Sequence, residues 1–181
     1  MISFTILDLR NFTNQLFRET TFDHFLVPEA EFATSFTVTI DGRQVASDLE
    51  ADSSSDSTVR NRRGAEDQSE KEPNLEPEDF ITWQRLRPLA FHIIKGRKLP
   101  QHFHIILKLN RKNTDRTLTY LGFPPEEGVG LYLNLRYEAN KLLCITGCSR
   151  SSFTLDRTLE KEWDGYVRGF LRRHNLDFEE S

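Results

Sequence analysis

The chain lacks any uninterrupted apolar stretch of the roughly 18 residues that a membrane-crossing helix needs. Its first residues, MISFTILDLRNF, lack the basic start of a secretory signal peptide. Cysteine is also scarce. Cys144 and Cys148 lie four apart in a predicted strand, which separates their Cα atoms by about 13 Å, whereas a disulfide needs about 7 Å or less. We therefore predict two free thiols in a cytoplasmic protein that does not enter a membrane.

The sequence also lacks the motifs that carry common chemistries. It contains no phosphate-binding loop, nucleophile elbow or dinucleotide fingerprint, so no cofactor is predicted. His92, His102 and His104 are the nearest approach to a metal site, but a solvated strand face explains them better because no acidic partner lies nearby. Cys148 has no base that the sequence can assign to it. No catalytic or metal-binding residue is therefore predicted, and a non-enzymatic role is favoured.

Charge is distributed unevenly along the chain. Its net charge is −4, yet residues 80–120 carry nine Lys and Arg against one Asp, and residues 45–79 carry four against eleven acids. Within the acidic part, residues 47–76 have few large apolar side chains and many Ser, Asp and Glu. Such a composition does not bury enough surface to offset the entropy of ordering. We expect one α+β domain over residues 1–181, with 47–76 a disordered insertion.

The periodicity of apolar residues predicts both strands and helices. Strands are predicted at 2–7, within 22–39, at 102–109, 131–137, 142–148 and 152–155, and helices at 9–18, 77–95, 113–121 and 157–174. Turns are predicted at Asp41-Gly42 and Ala139-Asn140, with a bulge at Gly147. Asp8 and Asp156 are predicted helix caps, and the last residues are predicted to fray. The fold class that results is α+β: a mostly antiparallel sheet packed by the C-terminal helix and the central helix.

The central helix contains a proline, which leaves its course open. Pro77 suits the first helical position, and Lys95-Gly96 suits the end. Pro88 lacks an N–H and crowds the preceding turn, so it should kink this helix or start a new element. The alternative is a helix that ends at Arg87, followed by a strand at 91–94.

The basic block is the strongest functional indication in the sequence. We expect its cations to bind an anionic partner, either nucleic acid or an acidic protein. Two alternatives stay open: a structural or interaction protein whose cations are merely solvated or neutralised by the acidic insertion, and an enzyme of an unrecognised class. The predicted anion-binding residues are Arg85, Arg87, Lys95, Arg97, Lys98, Lys108, Arg111 and Lys112.

Three long segments carry a family resemblance: FDHFLVPEAEFATSFTVTIDGR, WQRLRPLAFHIIKGRKLPQHFHIILKL and ITGCSRSSFTLDRTLEKEWDGYVRGFLRRHNL. Together they resemble a family of small cytosolic proteins of unknown function from clostridial Gram-positive bacteria. The likeness spans nearly the whole chain except 47–76. The resemblance implies no activity. The positions that carry it are Trp83, Arg87-Pro88, Lys95-Gly96, Pro100, Thr154-Leu155-Asp156 and Trp163.

Overall fold

A seven-stranded antiparallel sheet organises the protein, with strand order β3-β2-β4-β5-β6-β1-β7. The structure, a computed structural model, describes residues 1–44, 79–96, 100–151 and 155–180. The predicted α+β class is confirmed within these residues. Their elements, in chain order, are β1 (Ser3–Ile6), α1 (Leu9–Phe17), β2 (Phe25–Ala33), β3 (Thr37–Asp41), α2 (Trp83–Ile94), β4 (His102–Leu109), α3 (Arg111–Tyr120), β5 (Gly130–Glu138), β6 (Lys141–Ser149), α4 (Thr158–Arg173) and β7 (Phe178–Glu180).

The core lies between one face of the sheet and the helices. Successive strand residues point to opposite faces, and along β4 every second residue from Phe103 to Leu109 is buried. The helices α2 and α4 each bring a fully buried tryptophan, Trp83 and Trp163, to this layer. Burial of such large side chains against the sheet supplies most of the favourable free energy of a domain of this size.

Side-chain caps start α1 and α3, whereas α2 and α4 begin without one. Asp8 accepts a hydrogen bond from the Asn11 backbone N–H at 2.9 Å, as predicted for the start of α1. The predicted start of the central helix near Pro77 is wrong, because α2 begins at Trp83. The residues just before it are held in extended form: Ile81 donates to the Gly42 carbonyl at 2.7 Å and accepts from the Val27 N–H at 2.8 Å.

Pro88 lies inside one continuous helix, so the alternative with a separate strand at 91–94 is wrong. Proline here removes one backbone hydrogen bond. The helix persists because Trp83, Leu86 and Ala90 on one side of it are buried in the core. Tertiary packing therefore outweighs the local effect of the proline.

Three further local predictions need correction. β3 runs through Asp41 and Gly42 continues its pairing with β2, so the turn predicted at Asp41-Gly42 is wrong. β6 pairs with β5 without a register shift at Gly147, and the irregularity falls in β2 between Leu26 and Glu29. The last residues do not fray but form β7, because Phe178 packs edge-on against Phe4 with ring centroids 4.9 Å apart.

Several predictions lie outside the described residues. They are the disordered insertion at 47–76, most of the strand predicted at 152–155, and the positions of Arg97 and Lys98. The Ala139-Asn140 turn between β5 and β6 is confirmed, with φ of 50° and 61°. Among the described helices, none has the length and apolarity that crossing a membrane requires.

Candidate ligand-binding groove

A groove of about 840 Å³ runs between α3 and α4. Its floor comes from the sheet and includes Phe25, Leu109 and Leu133. Its two walls are helix faces: α3 starts directly after β4, and α4 packs on β6. The volume is in the range of small-molecule and cofactor sites. A second concavity of about 570 Å³ lies along α1 and α2, lined by polar residues of α1 and its two ends and by the apolar side chains of Phe17, Phe91 and Ile94.

Aromatic rings line the groove on both walls. Tyr120, on the last turn of α3, is 79% exposed and meets Tyr166 of α4 edge-to-face, with centroids 6.1 Å apart. Tyr166 stacks on Trp163 at 5.5 Å and 17°. The Trp163 indole N–H donates to the Tyr132 carbonyl at 3.1 Å, which fixes the ring that supports this stack. The groove thus has a rigid aromatic base and one exposed ring at its rim.

Two glycines leave the α4 wall of the groove without side chains at two positions. Gly165 and Gly169 are one turn apart and both line the groove. A Cβ built at Gly169 has no atom within 4 Å, and one at Gly165 meets only the tip of Arg168 at 3.9 Å. Glycine within a helix costs about 1 kcal/mol relative to alanine. The packing of the described residues does not require either glycine, and their absent side chains leave the floor accessible.

The groove carries free positive charge. Arg116 of α3 and Arg173 of α4 line it, and neither lies within ion-pairing distance of any carboxylate in the described ranges. The Arg173 guanidinium lies over the Tyr166 ring at 5.8 Å. Burial, and then the charge of Arg173, lower the pKa of His174. One acid, Glu162, also lines the groove.

The predicted anion-binding residues of α2 lie on different sides of that helix. Arg87 is engaged within the chain: its Nε lies 3.1 Å from Oδ1 of Asp23, and its Nη1 donates to the Glu19 carbonyl at 2.5 Å. Arg85 is exposed, and exposed Lys95 lies over the Phe91 ring at 5.8 Å.

The remaining described cations of the predicted set lie on β4 and α3. Lys108 is on the open face of the sheet, 5.5 Å from the Phe80 ring. Arg111 is paired with Asp115 at 3.2 Å and with Glu127 at 3.9 Å. Lys112 is exposed on α3, one turn before Arg116. The six described cations of the set are thus spread over three elements, and two of them are ion-paired.

Sequence analysis missed the groove. The predicted anion-binding set contains neither the two tyrosines nor the two free cations of the groove, which are Tyr120, Tyr166, Arg116 and Arg173. The available signal was the pair Gly165 and Gly169, since two glycines are unexpected in a strongly periodic helix.

The histidines considered for a metal do not converge in the described residues. His102 Nε2 lies 3.0 Å from a carboxylate oxygen of Glu31 on the open face of the sheet. His92 is on α2, where its Nδ1 lies 3.0 Å from the Pro88 carbonyl oxygen. No cluster of three or more His, Cys, Asp or Glu able to hold a metal ion occurs in this part of the chain.

An antiparallel sheet with helices on one face and an open aromatic groove between two of them defines a small α+β domain with a concave candidate binding site. A model of the family of unknown function DUF5721 matches residues 15–179, and the chain belongs to that family. The predicted resemblance to a family without an assigned activity is confirmed to this extent. Neither a curated protein nor a solved structure matches the chain.

Proposed function

We propose that this protein is a non-enzymatic binding module that holds a short segment of single-stranded nucleic acid in the groove between α3 and α4. The observation that carries the proposal is the exposed Tyr120 ring opposite Tyr166, flanked by the free cations Arg116 and Arg173. Proteins hold single strands by stacking bases on aromatic side chains while cations follow the phosphates. We place this activity in the cytoplasm of a clostridial bacterium, as the family resemblance implies.

The aromatic rings favour nucleic acid over an acidic protein. An acidic peptide would be attracted by Arg116 and Arg173 alone and would gain little from an exposed ring. A base gains about 1–3 kcal/mol from stacking on an aromatic side chain. The anion-binding surface proposed from the sequence is retained as an extension of the groove: Lys112 is one turn from Arg116, and the exposed Arg85, Lys95 and Lys108 are candidates for more distant phosphates.

The proposal is tested by fluorescence anisotropy with a labelled single-stranded 12-mer of mixed sequence at 50 and 200 mM salt. Tyr120→Ala should weaken binding about fivefold to 150-fold, the equivalent of one lost stacked base. Because Tyr120 is 79% exposed, this change should leave the urea unfolding midpoint unaltered. Arg173→Gln should weaken binding and lower the salt slope by about one.

Lys141→Gln is the matched control, since it removes one exposed cation at the start of β6, and Lys141 does not line the groove. It should change affinity less than twofold. Absence of binding at 50 mM salt would refute the proposal. Polyglutamate that competes fully with the oligonucleotide, together with no effect of Tyr120→Ala, would replace it with an acidic protein partner.

A further inference from the structure

The β2–β3 hairpin fixes which backbone groups of β3 face outward. The Gly42 N–H donates to the Pro28 carbonyl at 3.1 Å, and the Thr34 N–H donates to the Phe36 carbonyl at 2.9 Å. Both pairs continue the register that joins β2 to β3. In an antiparallel ladder, hydrogen-bonded pairs alternate with pairs that exchange no bonds. The bonded pairs therefore fall at every even-numbered residue of β3.

It follows that Val38 and Ile40 bond to β2 through their backbones, whereas Thr37, Thr39 and Asp41 turn their N–H and C=O groups away from it. β3 is the first strand of the sheet, so no described strand receives these groups. A row of unpaired backbone groups is a template for another strand.

The outward row of β3 is complementary to itself. If two copies pair antiparallel about a two-fold axis at Thr39, each Thr39 faces the other, and Thr37 faces Asp41 of the second copy. By symmetry Asp41 also faces Thr37 of the second copy. The backbone groups of all three pairs point toward the second copy, so each pair can exchange two hydrogen bonds. On the helix-covered face the same register sets Val38 opposite Ile40 of the second copy, a favourable aliphatic pair. The symmetry is that of an isologous dimer.

The two edges of the sheet differ in their protection against pairing. β7 has three residues, of which Glu179 and Glu180 are charged. Short length and charge both discourage edge-to-edge contact. β3 has five residues, and only Asp41 is charged. It contains no lysine, proline or bulge, so within the described residues this edge has fewer of the usual protective features than β7.

Exposed apolar side chains accompany the free edge. Phe36, directly before β3, is 61% exposed, and Leu89 of α2 is 55% exposed. The helix α2 packs on β2, the strand next to β3. Val38 and Ile40 are half-buried. A second copy paired at β3 would bring the aliphatic side chains of both edges together on the covered face.

We propose that two copies of this chain join through β3 to form a continuous sheet of fourteen strands, twice the seven of one copy. This interface is independent of the nucleic-acid groove, and its test needs no ligand. Analytical ultracentrifugation of the full chain from 1 to 100 µM should show a concentration-dependent dimer.

A charge exchange at Thr39 tests the register. On the two-fold axis Thr39→Lys faces a second lysine with Cα atoms about 5.5 Å apart, and Thr39→Glu faces a second glutamate. The dimer dissociation constant of each variant alone should be at least tenfold higher than that of the wild type. An equimolar mixture should recover the dimer, because lysine then faces glutamate. Gln84→Lys and Gln84→Glu, at an exposed position of α2, are the controls and should behave as wild type.

A wild-type chain that is monomeric at 100 µM overturns the proposal. So does a dimer that Thr39→Lys leaves intact, since the interface must then lie elsewhere. Dissociation of both single variants without recovery in the mixture would contradict the two-fold axis at Thr39. Circular dichroism of each variant tests whether it is folded, so that a loss of pairing is distinguished from a loss of structure.

Discussion

Replacing Arg87 by methionine should destabilise the fold and leave the groove unchanged. Arg87 holds Asp23 through two contacts of 3.1 Å, from Nε to Oδ1 and from Nη2 to Oδ2. Its Nη1 also donates to the Glu19 carbonyl. Asp23 is 6% exposed. The methionine keeps most of the aliphatic stem of Arg87 but leaves this buried carboxylate without its cation.

The expected loss follows from the burial of the two partners. Removal of one member of a fully buried ion pair costs about 3–5 kcal/mol. The Arg87 side chain is 18% exposed, so solvent still reaches it. We therefore expect a loss of about 2–3 kcal/mol, smaller than for a fully buried pair. Asp23→Asn removes the charge that Arg87 neutralises. The double variant should therefore lose less stability than the two single losses added together.

Urea unfolding measures this loss. With a slope of about 2 kcal/mol per molar urea, a loss of 2–3 kcal/mol lowers the midpoint by about 1–1.5 M. Arg85→Met, an exposed neighbour on the same helix, should stay within about 0.5 kcal/mol of wild type. A shift for Arg87→Met no larger than that of Arg85→Met would show that the ion pair contributes no net stability. Additive losses in the double variant would show that the two side chains are not coupled.

Two further predictions concern the groove and the thiols. Gly169→Ala should raise the free energy of unfolding by about 0.5–1 kcal/mol, since its Cβ enters open space, and should weaken oligonucleotide binding; a less stable protein or unchanged binding would contradict this use of the glycine. Burial raises the pKa of the Cys144 thiol to about 12, and burial also raises the pKa of the half-buried Cys148. At pH 8 a thiol reagent should modify Cys148 first and Cys144 only on unfolding. Modification of both thiols at the same rate in the folded protein would contradict this burial.

Elements with strong internal periodicity could be predicted from the sequence. β5 and the Ala139-Asn140 turn follow from strict alternation and a turn dipeptide, and α1 follows from its Asp8 cap. The start of α2 could not be predicted because it depends on pairing with distant chain. Phe80 bridges Arg43 and Thr82 bridges Leu26, and these long-range pairs keep the segment extended where the local signals favour a helix.

The candidate site depended even more on distant contacts. Arg87 is predicted from the sequence to bind an anion because its actual partner, Asp23, is 64 residues away in the chain. Tyr120 and Tyr166 meet only because α3 and α4 pack on the same face of the sheet. A linear sequence shows how many cations a segment has, but not which of them the fold neutralises.

The small number of free cations decides how the groove can bind. At physiological ionic strength charges more than about 8 Å apart are screened, so the net charge of −4 does not prevent local binding of an anion. Arg116, Arg173 and Lys112 together contact about three phosphates at most, which predicts a salt slope of about −2 for a single strand. So shallow a slope means that stacking on Tyr120 must provide much of the affinity. A slope steeper than about −4 would instead require the cations of α2 and β4, and the binding surface would then extend over the basic block rather than lie in the groove.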